Sequence, residues 1–546
     1  MGRKQPGMFF PVAVLVFLLA GSPPHHPPVI AARLDVQPAP PTGLADRLNL
    51  ILADARLSNI QVGIVVRDAS SGAVLYDRNG GARLIPGSNQ KLLVAAAAFA
   101  VLGTQHRFRT TLLSSGRRQG SVLEGNLYVK GTGDPTMLPQ RWDELAAAVA
   151  GLGITRIRGR LIADDTWFDD VRLGPDWSWD DESFGFAAQV SALTVSPDED
   201  FDAGSVLVEL QPGNGPGAPA LIALTPLTEY VRITNQVITG EPGSELRVLV
   251  ERVHGTNTII LSGNLPADVM LTRRLISVWE PTIYAAEIFR AALERRGIRV
   301  DNPTAFGMTP LFAREVAVVE SAPLSELAVP LLKLSNNGIA EILVKTLGRQ
   351  VYGEGSWTMG MQVVAEYLAR VGLDPGALRL RDGSGLSRLN LASARDLTAL
   401  LVAARREPWF QQFYDALPIA GVADRVIGGT LRFRMVGTPA ERNVRAKTGT
   451  LTGVSTLSGY ATSEGGALLA FSILINNFIG AAPRDLEDAL AVALVGPAPP
   501  VPQGATNVTL PVSFSKSQIL GSPPLTFMPM RGRARPSNIQ NPGLSR

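Results

Sequence analysis

The sequence predicts a mixed α/β chain whose core domain is split by a long, mostly-β insertion. Three observations carry this. Residues 45 to 104 read helix, strand, strand, helix; residues 106 to 275 read as short strands with turn punctuation; and helical periodicity then returns and ends in two strands rich in β-branched residues.

LNLILADARL has apolar residues at helical spacing, VGIVVRD and AVLYDR alternate as a hairpin would, and LLVAAAAFAVLG is apolar on every face, the mark of a buried helix. LEGNLYVKG, VLVELQPG, YVRITNQVI, LRVLVERV and TIILSGNLP are strand-length runs between Gly, Pro and Asn. Helical spacing resumes in IYAAEIFRAALERRG, LSELAVPLLKLSNNGIAEILVKTLG and MQVVAEYLARVG, and STLSGYATS and ALLAFSILINNF close the chain as strands. The expected division is 1–32 for a leader, 33–105 and 276–496 for the two parts of the core domain, 106–275 for the insertion, and 497–546 for a tail.

The two ends differ from this body. Arg3 and Lys4 precede an apolar run from Met8 to Ala20, followed by Gly21, Ser22 and a Pro-rich stretch, the pattern of a secretory signal. That run is shorter than the roughly 20 residues a bilayer span needs. After cleavage the chain is expected to lie outside the cytoplasm, in a periplasm or at a cell surface, with at most peripheral membrane contact. Residues 497–546 are rich in Pro, Gly and polar residues without periodicity and read as a disordered basic tail.

Composition excludes several kinds of chemistry. The 546 residues contain no Cys, which removes disulfides, Cys-ligated zinc and thiol nucleophiles. Of four His, His25 and His26 lie in the leader, and only His106 and His254 lie in the body, so a Ser-His-Asp hydrolase or a His-rich metal site is not expected. The net charge of +3 comes from the ends: residues 33–496 carry 44 basic and 48 acidic side chains. A mildly acidic body gives no footprint for nucleic acid.

Chemistry enters with three short motifs. Ser88 and Lys91 stand one turn apart at the mouth of the apolar helix, where a hydroxyl and an amine become neighbours. Partial burial disfavours the ammonium, and a neutral amine can take the Ser proton. The spacing alone is weak, since Ser513 and Lys516 repeat it in the tail, without a helix or core to desolvate the Lys. Ser335-Asn336-Asn337 interrupts a helical region; alone it reads first as a loop between two helices. Lys447-Thr448-Gly449-Thr450 precedes the closing strands; a Lys there often only blocks edge pairing, but Gly inside a strand often marks close approach of a ligand or backbone.

In order and type the three match the serine acyl-transferase signature Ser-x-x-Lys, Ser-x-Asn, Lys-Thr-Gly. The chain resembles the D-alanyl-D-alanine carboxypeptidase/endopeptidase family of low-molecular-mass class C penicillin-binding proteins, peptidase family S13. About 250 residues between Ser88 and Ser335 suit that family's large insertion and are too many for a compact β-lactamase. Gly131-Thr132-Gly133-Asp134-Pro135, Asp164-Asp165-Thr166-Trp167-Phe168, Asp382-Gly383-Ser384-Gly385-Leu386-Ser387-Arg388 and Leu417-Pro418-Ile419-Ala420-Gly421 also look like it, across roughly 45 to 495.

The resemblance implies a transpeptidase/β-lactamase-like domain, an antiparallel sheet flanked by helices. It implies Ser88 as nucleophile, Lys91 as base, Ser335 as proton relay, Asn337 as holder of the substrate amide, and Lys447, Thr448 and Thr450 as the site for the substrate carboxylate. Backbone N–H groups of Ser88 and Thr450 would form the oxyanion hole. Asp164 and Arg388 would bind the ammonium and carboxylate of the third stem residue, with Asp165 the adjacent alternative. The implied substrate is a peptidoglycan stem peptide, with β-lactams as covalent inhibitors and no cofactor or metal. Two rivals stay in view: a β-lactamase, which would need a deacylating group such as a Glu-x-x-Leu-Asn stretch that the sequence lacks, and a non-catalytic wall-binding protein, which intact motifs argue against.

Overall fold

A computed structural model describes residues 43–496. The expected signal and leader, the tail, and the Ser513/Lys516 pair lie outside the described residues. Helix α1 (Leu44–Leu52) leads to the antiparallel hairpin of β1 (Gln61–Asp68) and β2 (Val74–Arg78). A single 3₁₀ turn, Gly87–Asn89, then enters α2 (Gln90–Leu102), buried without interruption from Gln90 to Phe99. Such burial is what a helix apolar all round requires.

The chain next leaves the core domain. Strands β3 (Arg109–Ser114) and β4 (Leu127–Gly131), helix α3 (Pro139–Gly151) and β5 (Leu161–Asp164) begin the inserted region. Two three-stranded sheets follow, one centred on Ser205–Gln211 and the other on Thr258–Pro266. Helix α4 (Pro281–Arg295) packs on α3, with the Trp142 and Phe289 rings 5.8 Å apart. Strand β6 (Arg314–Glu320) pairs antiparallel with β3 and completes a five-stranded sheet. The inserted region therefore extends to Glu320, past the expected limit at 275. The periodicity of α4 shows that one face is apolar but not which layer that face covers, and here it covers the core of the insertion.

Helices α5 (Leu324–Lys333), α6 (Asn337–Tyr352), α7 (Trp357–Arg370) and α8 (Ala394–Ala404) rebuild the core domain. Strands β7 (Arg445–Leu451), β8 (Val454–Thr462) and β9 (Leu468–Asn476) and helix α9 (Arg484–Val495) finish it. The sheet order is β7-β8-β9-β1-β2, antiparallel throughout. Alternation along β1 assigns its two faces: Val62, Ile64 and Val66 pack toward α1 and α9, while Val65 packs toward α2, α5, α6, α7 and α8. Strand β7 is the sheet edge, and the turn that carries Ser88 packs on the face it shares with β8, where Thr456 Oγ1 donates to Pro86 O.

Candidate active site

Three separate segments meet where α2 begins. The Lys91 side chain is fully buried, and its Nζ lies 3.0 Å from Ser88 Oγ, 2.8 Å from Asn337 Oδ1 and 2.7 Å from the Ser384 carbonyl oxygen. Lys447, also fully buried, donates from Nζ to Ser335 Oγ at 2.8 Å and to the Thr448 carbonyl at 2.7 Å. Burial first, and the nearby Lys91 amine second, push the Lys447 ammonium well below the ordinary lysine range. In such a pair a proton on one amine is held at the other's expense.

Local structure explains how each segment reaches this point. Gly87 has φ of +51°, and a methyl group there would meet Thr450 N at 3.4 Å, so the nucleophile turn lies directly against β7. Gly449 is the matching concession on the strand: its would-be Cβ falls 2.8 Å from Pro86 O and 2.9 Å from Ser88 N. The backbones that carry Ser88 N and Thr450 N therefore lie against one another.

Ser335 occupies the break between α5 and α6 with φ of +59°, a strained conformation for a residue with a side chain. Asn336 holds it there. Its side chain caps α6 by accepting from Ile339 N at 2.9 Å, and donates to the carbonyls of Asp200 and Phe201 in the inserted region. The motif that reads alone as an interhelical loop is one, and it is a buttressed one.

Thr448 and Thr450 sit on β7 beside Lys447, and Thr448 Oγ1 donates to Thr430 Oγ1 at 2.8 Å. Two further contributors were not identified from sequence. The Phe186 carbonyl accepts from Asn337 Nδ2 at 2.8 Å and fixes the amide so that its oxygen faces Lys91. The Ser384 carbonyl is the other. Backbone oxygens leave no signature in residue identity, although the Asp382-to-Arg388 run did mark the segment that supplies one of them.

Asp164 is a correction. Its side chain is fully buried, with Oδ1 accepting from Thr166 N and Oγ1 and Oδ2 accepting from Thr309 N at 2.7 Å. A carboxylate so enclosed and saturated anchors two loops and has no face to offer a ligand. Asp165, the adjacent alternative, is taken up by Arg172 and Thr282. Arg388 is exposed and donates to the Thr452 carbonyl at 2.7 Å, and the carboxylate that feels its charge is Asp181. Burial and the neighbouring Asp180 push Asp181 up to about 6, with Arg388 opposing them.

Among the described residues one acidic group, Asp198, Asp200 and Asp202, has carboxylates close enough to share a cation, and Asp200 is ion-paired with Arg425. Asp202 Oδ1 accepts from Asn336 Nδ2 at 3.3 Å, so this group backs the Ser335 loop.

Comparison with known proteins identifies the family and the fold. The model of the D-Ala-D-Ala carboxypeptidase 3 (S13) family matches residues 44–495. The chain is 42% identical to the D-alanyl-D-alanine carboxypeptidase of Actinomadura sp. (strain R39), over 94% of this chain and 95% of that one. It is 30% identical to the D-alanyl-D-alanine carboxypeptidase DacB of Haemophilus influenzae, over 76% and 85%. The crystal structure of penicillin binding protein 4 (dacB) from H. influenzae superposes with a TM-score of 0.71 at 26% identity, covering 82% of this chain and 97% of that one. The same protein complexed with a β-lactam matches with a TM-score of 0.66 at 27% identity, over 82% and 98%. The fold is that of the penicillin-binding proteins and β-lactamases. The family match runs from the first described helix to the last and takes in the insertion along with the halves it separates: the chain belongs to the D-Ala-D-Ala carboxypeptidase 3 (S13) family.

Proposed function

We propose that this chain is a serine-type D-Ala-D-Ala carboxypeptidase that trims peptidoglycan stem peptides through an acyl-enzyme and is acylated by β-lactams. One observation carries the reading: a fully buried Lys91 amine 3.0 Å from the Ser88 hydroxyl. Lys91 is the base within reach of that oxygen.

Ser88 Oγ attacks the carbonyl carbon of the penultimate D-alanine and gives its proton to Lys91 Nζ. The developing oxyanion lies between the N–H groups of Ser88 and Thr450. The C–N bond to the terminal D-alanine breaks, and the leaving amine takes a proton by way of Ser335, which touches Lys447. Water then hydrolyses the ester and frees Ser88. A substrate carboxylate beside Lys447, Thr448 and Thr450 favours a protonated Lys447, and that in turn favours the neutral Lys91 that acylation needs. In this reading Asp181 and Arg388, close enough for the Arg charge to act on the carboxylate, receive an ammonium and a carboxylate at the third stem residue.

The reaction belongs outside the cytoplasm, where peptidoglycan lies, and no helix among the described residues is long and apolar enough to cross a membrane. The test is D-alanine release from a D-Ala-D-Ala stem peptide, together with mass detection of a penicillin adduct, for the wild type and Ser88→Ala. Release and a long-lived adduct in the wild type and neither in the variant are expected. Unchanged release by Ser88→Ala overturns the mechanism, and rapid penicillin turnover without a lasting adduct points to a β-lactamase.

A further inference from the structure

Helix α6 carries a carboxylate that the reaction above does not use. Glu341 follows Asn337 by four residues, so the two share one face of the helix. Its side chain is fully buried. Oε1 accepts from Ser384 N at 2.7 Å, and Oε2 accepts from Gly383 N and Trp357 Nε1, both at 2.8 Å. A second buried carboxylate, Asp382, begins the same loop and accepts from Gly385 N at 2.9 Å and Ser387 N at 2.6 Å.

These bonds converge on one peptide group. The Ser384 carbonyl accepts from Lys91 Nζ, and the N–H at the other end of that peptide belongs to Gly385, held by Asp382. Glu341 grips the preceding two N–H groups from behind. On the near side Gln90 Nε2 donates to the Asp382 carbonyl at 3.2 Å, and a methyl on Gly385 would fall 1.9 Å from Gly87 O, so the loop lies hard against the nucleophile turn.

We propose that Glu341 is a positioning residue for Lys91, acting through the backbone of loop 382–387 to hold the Ser384 carbonyl on the amine. A neutral amine has two N–H bonds and one lone pair. Asn337 Oδ1 and Ser384 O only accept, so they take the two N–H bonds and leave the lone pair aimed at Ser88 Oγ, from which it must remove a proton. Without Ser384 O in place, Nζ can turn and donate to Oγ, the wrong direction for acylation. The arrangement carries a cost that a purely structural bond would not need: burial and Asp382 push the Glu341 carboxyl up to about 7. The charged groups around it are Asp382 on the loop and Lys345 on its own helix, which stacks on the Trp357 ring at 3.9 Å and pairs with Asp169 of the inserted region.

The inference rests on the Ser88–Lys91 reading, and one set of variants separates them. In Glu341→Gln the amide keeps the shape but replaces one acceptor with a donor that cannot receive a backbone N–H. Its kcat for D-alanine release and its acylation rate by a fluorescent penicillin are expected to fall about 10- to 100-fold, with KM within about twofold. Trp357→Phe removes the third donor but spares both loop bonds, and its acylation is expected within about threefold of wild type, whatever its melting temperature. For a Gln variant that does not fold, Glu341→Asp keeps the charge, retracts it by one methylene and carries the same expectation. Wild-type acylation by the folded Glu341 variant overturns the inference, as does an equal loss in Trp357→Phe. An adduct in Ser88→Ala brings down the underlying mechanism instead.

Discussion

Gly449→Ala is the sharpest test of the contact between β7 and the nucleophile turn. The added methyl would lie 2.2 Å from Thr456 Oγ1, 2.8 Å from Pro86 O and 2.9 Å from Ser88 N. The Thr456 hydroxyl can rotate away at the loss of its 2.8 Å bond to Pro86 O, worth about 1 kcal/mol. The two backbone atoms cannot. They sit roughly 0.5–1 Å inside ordinary contact, so the turn and the strand must part by about that much. Overpacking of this kind costs about 1–3 kcal/mol of stability. The gap between the N–H groups of Ser88 and Thr450 widens with it, and a misplacement near 1 Å costs about 10²-fold in rate. The assay is the second-order acylation constant with a fluorescent penicillin, measured beside the melting temperature. Gly213→Ala is the control: its methyl would meet Pro219 O at 2.3 Å, a comparable clash inside the insertion. Both variants should melt earlier, and only Gly449→Ala should acylate about 10²-fold more slowly. Wild-type acylation by Gly449→Ala, or an equal loss in Gly213→Ala, refutes the reasoning.

Asp181→Asn and Arg388→Ala should each raise KM about tenfold for a stem peptide with a zwitterionic third residue and leave penicillin acylation unchanged, whereas Asp164→Asn should cost about 1–3 kcal/mol of stability with KM intact. A raised KM in Asp164→Asn would restore that residue to the binding site. Lys333 is buried and donates to the carbonyls of Leu417 and Ile427, and its burial brings it down to about 8. Between pH 8 and the ordinary lysine value the unfolded chain therefore binds more protons than the folded one, so this side chain makes stability rise with pH across that window. Residual solvent access reduces the slope to roughly half of the 1.4 kcal/mol per pH unit that one full proton gives. Urea unfolding from pH 7.5 to 10 should show that rise as a difference between wild type and Lys333→Met, and parallel curves would refute it.

The three motifs were legible because acyl transfer restricts residue type at short spacing: Ser88 with Lys91, Ser335 with Asn337, and Lys447 with Gly449 each carry their chemistry within one turn or one strand. What lay between segments was not. Whether an Asp in an acidic run is exposed or walled in depends on residues far along the chain, as Thr309 does for Asp164. The end of the insertion was placed too early because the partner of α4 is a matter of packing. Glu341 stands between Asn337 and Lys345 at four-residue spacing, and nothing in that pattern tells a buried acceptor from a solvated charge. The core alternation along β1 and the all-round burial of α2 could be read directly, since periodicity and local burial are the same fact.

Strand β1 is among the first made and lies between β2 and β9, the last strand made. A growing chain therefore exposes two of the sheet's five strands with no neighbour to cover the free edge, and must keep it from aggregating while the insertion and the helices after it are synthesised. Contacts of such long range make for slow folding. They also set the order in which activity appears: Ser88 and Lys91 emerge together, but gain Asn337, then Ser384, then Lys447 only as synthesis nears its end. A truncated or stalled product carries Ser88 and Lys91 without the Asn337, Ser384 and Lys447 groups that surround them in the full fold.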